Sequence, residues 1–356
     1  MHRYLLIGLA VLTGAGPLIF SVLLNWSGFS YVVVAVMAGS AIGVFYSYRR
    51  CRPQLLLVML ALIAVLHAVW GIAQFAIQHD LGMNYLGESR LSASFDGVAK
   101  FSSVGVSGRS DTSTTAYLRA YGPYQHANVF GGVLVMGLIA TLSLLRRGAP
   151  TTFILPVLLV LVVGVLVSFS RSALLGALLA LGIAMIYRRR SSANLGSLIV
   201  ISLVIPLVLF VPLLLIRVGD PNDKGISARF DGYEAAYTIV SRQPIWRGVG
   251  GGNYPATLRS RLVESGVAFE EWQIGPVHSV PLLLAAEWGV LPVVGLALLA
   301  WYGIRRWYRT SWFWLLPLAP LILFDHYLAT QLAPYLLLVV LLFALACWSR
   351  PFHHEG

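Results

Sequence analysis

The chain reads as a series of apolar runs separated by short polar turns. About ten runs of roughly 17–25 residues can be marked, the length that crosses a hydrocarbon layer as a helix. They cover 4–25, 29–47, 54–76, 124–145, 152–169, 172–187, 195–216, 279–303, 312–328 and 332–348. Two joints are long, 79–123 and 217–277. The pattern predicts an all-α polytopic membrane protein, residues 1–356 forming a single integral membrane domain with two long outer loops. The run after Met1-His2-Arg3 is expected to stay as a first helix, because no small-residue cleavage site precedes the next run.

Within the second long loop the period changes. Phe230, Tyr233, Ala236, Tyr237 and Val240 recur at steps of three and four, which predicts an amphipathic helix lying along the membrane surface and stopped at Pro244.

Composition and charge agree. The 356 residues are 58% hydrophobic and 11% charged, against about a quarter charged in a soluble domain. With the N-terminus placed inside, every inner turn is basic: Arg49, Arg50 and Arg52; Arg146 and Arg147; Arg188, Arg189 and Arg190; Arg305, Arg306 and Arg309; and Arg350. This is the positive-inside pattern, and it places both termini in the cytoplasm. The net charge of +11 therefore reflects topology, and a nucleic-acid partner is not expected. Cys51 and Cys347 both fall on the inner side, away from the outer loops. Neither CxxC nor HExxH occurs, so no metal or other cofactor is expected.

The unusual polar residues collect at the outer ends of the runs. Arg119, Tyr124, His126 and Asn128 stand at the end of the first long loop, around the turn Gly122-Pro123. Arg171 lies in a very short outer turn, against the orientation rule. Arg229 is on the first turn of the loop helix. His278 opens the eighth run, and Glu287 lies nine residues on, on the opposite face of an ideal helix. Asp325 and His326 sit near the outer end of the ninth run, where an acid needs a partner, and His67 reads as core. GVGGGN, residues 248–253, lacks the Lys-Ser/Thr of a phosphate-binding loop and reads as a flexible turn.

Arginine forks match phosphate oxygens, and a histidine can accept a proton from a hydroxyl near neutral pH. At membrane height this combination suits a polyprenyl-diphosphate sugar donor and a hydroxyl acceptor. The leaving diphosphate would be stabilised by preorganised cations, without a metal.

Four stretches, YLRAYGPYQHANVFGG, SFSRSALLG, ARFDGYEAAYTIVSRQPIWRGVGGGNY and VHSVPLLLAAEWG, taken in order, resemble the O-antigen ligase and O-antigen polymerase superfamily of bacterial lipid-linked glycan transferases. The resemblance spans about residues 114–335. It implies a GT-C-like membrane glycosyltransferase of the inner membrane, metal-independent and inverting, acting at the periplasmic face. An undecaprenyl-diphosphate-linked glycan would be the donor. Lipid A core, another lipid-linked glycan or a protein would be the acceptor, as in lipopolysaccharide ligation, polymerisation or protein O-glycosylation. By position it assigns Arg171 and Arg229 to the diphosphate, with Arg119 as a further site, and His278 as general base or acceptor-positioning group. Glu287, Asp325, His326, Tyr124 and His126 would support the pocket, and loop 79–123 would lie on the acceptor side. A peptidoglycan-polymerising glycosyltransferase, using Asp231 or Glu234, and a flippase or transporter remain as alternative classes.

Overall fold

Pro53 opens the first helix described, α1 (Pro53–Ile77), where its missing N–H costs nothing. The computed structural model describes residues 53–86, 88–95, 97–103, 115–146, 148–186, 193–218, 220, 225, 227–269, 273–305 and 311–348. The expected runs 4–25 and 29–47, the chain termini, and several of the basic inner turns lie outside these residues.

The chain divides into two compact units. One comprises Arg52–Gly225 with Trp314–Leu321. Its centre is α2 (Ala127–Arg146), buried from Ala127 to Leu144 on all sides, as a helix apolar all round must be. Around it lie α1, α3 (Thr151–Ser168) and α4 (Arg171–Ile186), with α5 (Ala193–Val218) against α3. The buried face of α1 steps along Leu57, Leu60, Ala61, Ala64, Ala68, Gly71 and Gln74. Its small residues let α2 come close: a side chain at Gly71 would strike Phe130, and one at Gly137 would strike Ala64. This is the small-residue packing expected between apolar helices. Of the helices described, α1, α2 and α3 are long and apolar enough to cross a membrane.

The first long loop carries an antiparallel hairpin, β1 (Lys100–Ser103) and β2 (Thr115–Leu118), with Phe101 opposite Tyr117. The loop is tied down by Glu88, a buried acid. Its carboxylate accepts from Trp70 Nε1 (3.0 Å), Gln74 Nε2 (2.6 Å), the Leu81 amide (2.9 Å) and the Met83 amide (2.6 Å). Burial pushes the carboxyl up, but these donors outweigh it and hold Glu88 below its ordinary value of 4.5. A depressed pKa in the folded state stabilises above the unfolded value and is lost as pH falls through the folded one. Thermal unfolding followed from neutral to acid pH should therefore show stability falling below about pH 4.5. In Glu88→Gln this acid limb should be flatter, and an unchanged limb would remove Glu88 as its source.

The second unit comprises, in its described part, residues 227–269, 273–305, 311–313 and 322–348. Its helices are α6 (Ser227–Ser241), α7 (Tyr254–Glu264), α8 (Val280–Trp288) and α9 (Val290–Arg305). The 3-10 segment Ser311–Leu318 and α10 (Ala319–Phe324) are divided between the two units, and α11 (Tyr327–Thr330) and α12 (Leu332–Trp348) follow in the second. Ala236, Ile239, Tyr254, Leu258, Val277, Leu283 and Ala286 form a core among α6, α7 and α8.

Three features differ from the sequence pattern. The eighth run is broken at Gly289 (φ 82°) into α8 and α9. The ninth run begins as a 3-10 segment and breaks at Asp325-His326. On α6, Tyr233, Ala236, Ile239 and Val240 face the core, whereas Phe230 and Tyr237 are exposed. Successive residues are about 100° apart, so Ala236 and Tyr237 cannot share a narrow stripe.

Candidate functional site

The break between α10 and α11 sets the centre of the site. Asp325 follows Phe324, and its side chain is only 3% exposed. A buried carboxylate needs cationic or donor partners, and two converge on it. His278 Nδ1 lies 3.3 Å from Asp325 Oδ1, and Arg229 Nη2 lies 3.9 Å from Oδ2. His278 is 40% exposed at the side chain and Arg229 20%. The acid is thus buried while both partners keep a solvent-facing side.

Local structure explains how His278 is held. Pro281 lies in the first turn of α8, where its missing N–H costs nothing, and extended Ser279 is the N-cap. His278 precedes it in irregular backbone. The Tyr233 hydroxyl of α6 donates to the His278 carbonyl at 3.1 Å. Burial pushes the Tyr233 phenol above its ordinary value; Arg229 opposes this and Asp325 adds to it. The phenol stays protonated and remains a donor. The His326 ring lies 5.1 Å from that of His278, centroid to centroid, and its Nδ1 contacts Thr330 Oγ1 at 2.8 Å. Arg229, His278, Asp325 and His326 are therefore one cluster.

A proton on His278 Nδ1 satisfies Asp325 and leaves the Nε2 lone pair available. The array can accept a proton at Nε2 while Asp325 stabilises the cation formed. The Arg229 guanidinium, held at the edge of the same carboxylate, retains further N–H donors for an anion.

Glu287 is buried at the end of α8 and accepts from the Tyr254 amide at 3.4 Å, at the first turn of α7. A carboxylate there complements the exposed amides and positive end of that helix. The glycine run is a packed strap. Val249 N donates to Ala286 O and Gly250 N to Glu287 O, both at 2.8 Å. Val290 N donates to Ile245 O at 2.7 Å. Gly248 (φ 63°) lies so close that a Cβ would come within 2.5 Å of the Glu287 backbone. Close approach to the broken helix, rather than flexibility, explains the glycine at that position.

The remaining candidate residues belong to the other unit. His126 caps α2, its Nδ1 accepting from the Asn128 amide at 3.1 Å. Tyr124 contacts His67 through its hydroxyl, 2.9 Å from Nδ1, with the rings edge to face. Arg119 is only 6% exposed; its Nε donates to Ser168 O (2.8 Å) and its Nη2 to Asn128 Oδ1 (2.6 Å). Arg171 is the first residue of α4 and half-buried. Gln74 stands out only in the structure. It is fully buried, accepts from the Tyr121 and Gly122 amides and donates to Gly122 O and Glu88. A lone amide near the end of an apolar run was its one signal.

Residues 156–300 match the family model described as O-Antigen ligase. The match supports a likeness of that segment to the O-antigen ligase superfamily. Neither a curated protein nor a solved structure matches the chain significantly. The matched segment contains Arg171, Arg229, His278 and Glu287, and it leaves Arg119, Tyr124, His126, Asp325 and His326 outside its bounds. Asp325, the centre of the cluster, is therefore contributed by chain beyond the matched segment.

Proposed function

We propose that the protein is a membrane glycosyltransferase of the O-antigen ligase or polymerase type. It moves a glycan from an undecaprenyl-diphosphate donor to a hydroxyl acceptor at the periplasmic face of the bacterial inner membrane. The observation that carries the reading is the Arg229–Asp325–His278 array, in which a half-exposed imidazole is backed by a buried carboxylate beside a guanidinium.

In the transfer, the acceptor oxygen attacks the anomeric carbon and its proton passes to His278 Nε2. The bond from that carbon to the diphosphate oxygen breaks, and the electron pair leaves with the lipid diphosphate. Attack opposite the leaving group inverts the anomeric centre. The family resemblance assigns Arg171 and Arg229 to the diphosphate, whose charge grows as the bond breaks, so cationic contacts to it contribute more in the transition state than in the ground state. Arg171 also opens α4, where the amides of a helix N-terminus favour an anion. Lipid A core, a second lipid-linked glycan and a protein are the candidate acceptors.

The test is purified protein with undecaprenyl-diphosphate glycan and each acceptor in parallel, with EDTA present. Release of the lipid diphosphate coupled to glycan transfer is the expected result. Movement of intact donor across a vesicle membrane, with no bond cleavage, would establish a carrier instead.

A further inference from the structure

The short turn that presents Arg171 is held from beneath by a second arginine. The turn runs Ser168-Phe169-Ser170. Phe169 is left-handed (φ 48°), an uncommon conformation for a bulky residue, and its ring is buried near those of Phe75, Phe101 and Phe210. Ser168 Oγ accepts from the Ser170 amide at 3.2 Å. Ser170, fully buried, accepts from the Ala173 amide at 3.4 Å and so caps α4.

The end of α3 leaves carbonyls that its own helix cannot satisfy. The strap after β2 supplies two of the donors: Ala120 N reaches Val167 O at 2.9 Å, and Arg119 Nε reaches Ser168 O at 2.8 Å. The same guanidinium bonds the Asn128 side chain of α2 at 2.6 Å. Its charge also complements the negative end of α3. Arg119 therefore ties α2 to the end of α3 at Ser168, three residues before Arg171.

We infer that Arg119 acts as a positioning residue, fixing the turn that aims Arg171 at the donor diphosphate. Two of its donor groups already serve the fold, and its burial suits a support beneath the turn. The inference rests on the transfer reading, and it replaces for Arg119 the direct diphosphate contact that the resemblance implied. The strap is continuous with β2, so the hairpin loop and the Arg171 turn share one set of hydrogen bonds.

The experiment is a double-mutant cycle on the full-length protein, with Arg119→Gln and Arg171→Lys alone and combined, measuring kcat and separate KM values for donor and acceptor. Arg171→Lys keeps the charge but loses the fork, so residual activity stays measurable. A charge-assisted hydrogen bond lost at this position corresponds to about tenfold, so Arg119→Gln should raise the donor KM about tenfold and leave the acceptor KM unchanged. In the Arg171→Lys background the same change should add little. A lower folded fraction alone would reduce kcat with both KM values intact, and that result overturns the inference. So does a full, multiplicative loss in the double variant, which would mean that Arg119 meets the substrate by itself. Full activity of Arg171→Lys and of Arg171→Ala would overturn the transfer reading as well. Should Arg119→Gln fail to fold, Asn128→Ala removes one partner, keeps the guanidinium, and enters the same cycle with a smaller expected effect of the same kind.

Discussion

His278→Ala is expected to slow glycan transfer by about 10²–10⁴-fold, the usual contribution of a positioned general base, while donor affinity stays close to that of the unaltered protein. The imidazole meets the acceptor proton only as the new bond forms, so its removal costs the transition state and spares the ground state. The geometry makes the experiment clean. The His278 side chain is 40% exposed, so truncation opens no buried cavity. Asp325 retains Arg229 as a partner, and the Tyr233 bond runs to the His278 backbone, which the substitution leaves in place. Initial rates with saturating acceptor, set beside equilibrium binding of the lipid donor, separate the two effects. Transfer at the ordinary rate would remove His278 from the chemistry.

Local signals in the chain foretold the parts of the fold that depend on local pattern. Apolar runs place α1, α2 and α3 because a bilayer-length helix needs no partner to be recognised. The breaks at Gly289 and at Asp325-His326 were not legible. Each depends on contacts made by distant chain: the Ile245 carbonyl holds Val290 N, and Asp325 is held by residues from other elements. A run of glycines carries the same letters whether it flexes or packs, and only the close approach of Gly248 to the Glu287 backbone distinguishes the two.

The candidate site divides along the same line. An acid in an apolar run announces that it needs a partner, but not which one. His278 is 47 residues from Asp325 in sequence, and no period links them. Arg119 and Arg171 looked alike as outer arginines, yet one is buried with two donors engaged and the other stands half-buried at a helix start. Charge type was legible, whereas burial was not, because burial is set by the helices that happen to pack there. Gln74 carried too little signal to be singled out, although its amide supports both the Gly122 turn and Glu88.

Asp325→Asn should lower kcat about as severely as loss of the histidine, by about 10²–10⁴-fold, with a smaller change in donor affinity. The substitution keeps the shape and removes the charge. In the native array the carboxylate has two acceptor oxygens, one toward His278 Nδ1 and one toward Arg229. An amide has one acceptor oxygen and one donor group. The Arg229 guanidinium, an ion-pair partner 3.9 Å away, favours the electronegative amide oxygen on its side, which turns the amide NH₂ toward the imidazole. The imidazole must then offer Nδ1 as an acceptor, which moves its proton to Nε2, the atom that has to receive the proton of the acceptor hydroxyl. The base is present but in the wrong tautomer, and the carboxylate that would stabilise its cation is gone. A structural partner of Arg229 and nothing more would behave differently: Asp325→Asn would lower the yield or thermal stability of the folded protein and leave kcat per folded molecule unchanged. Measuring kcat against the folded fraction, with His278→Ala and the double variant alongside, decides between these outcomes, because the two single losses should not multiply if Asp325 works through His278.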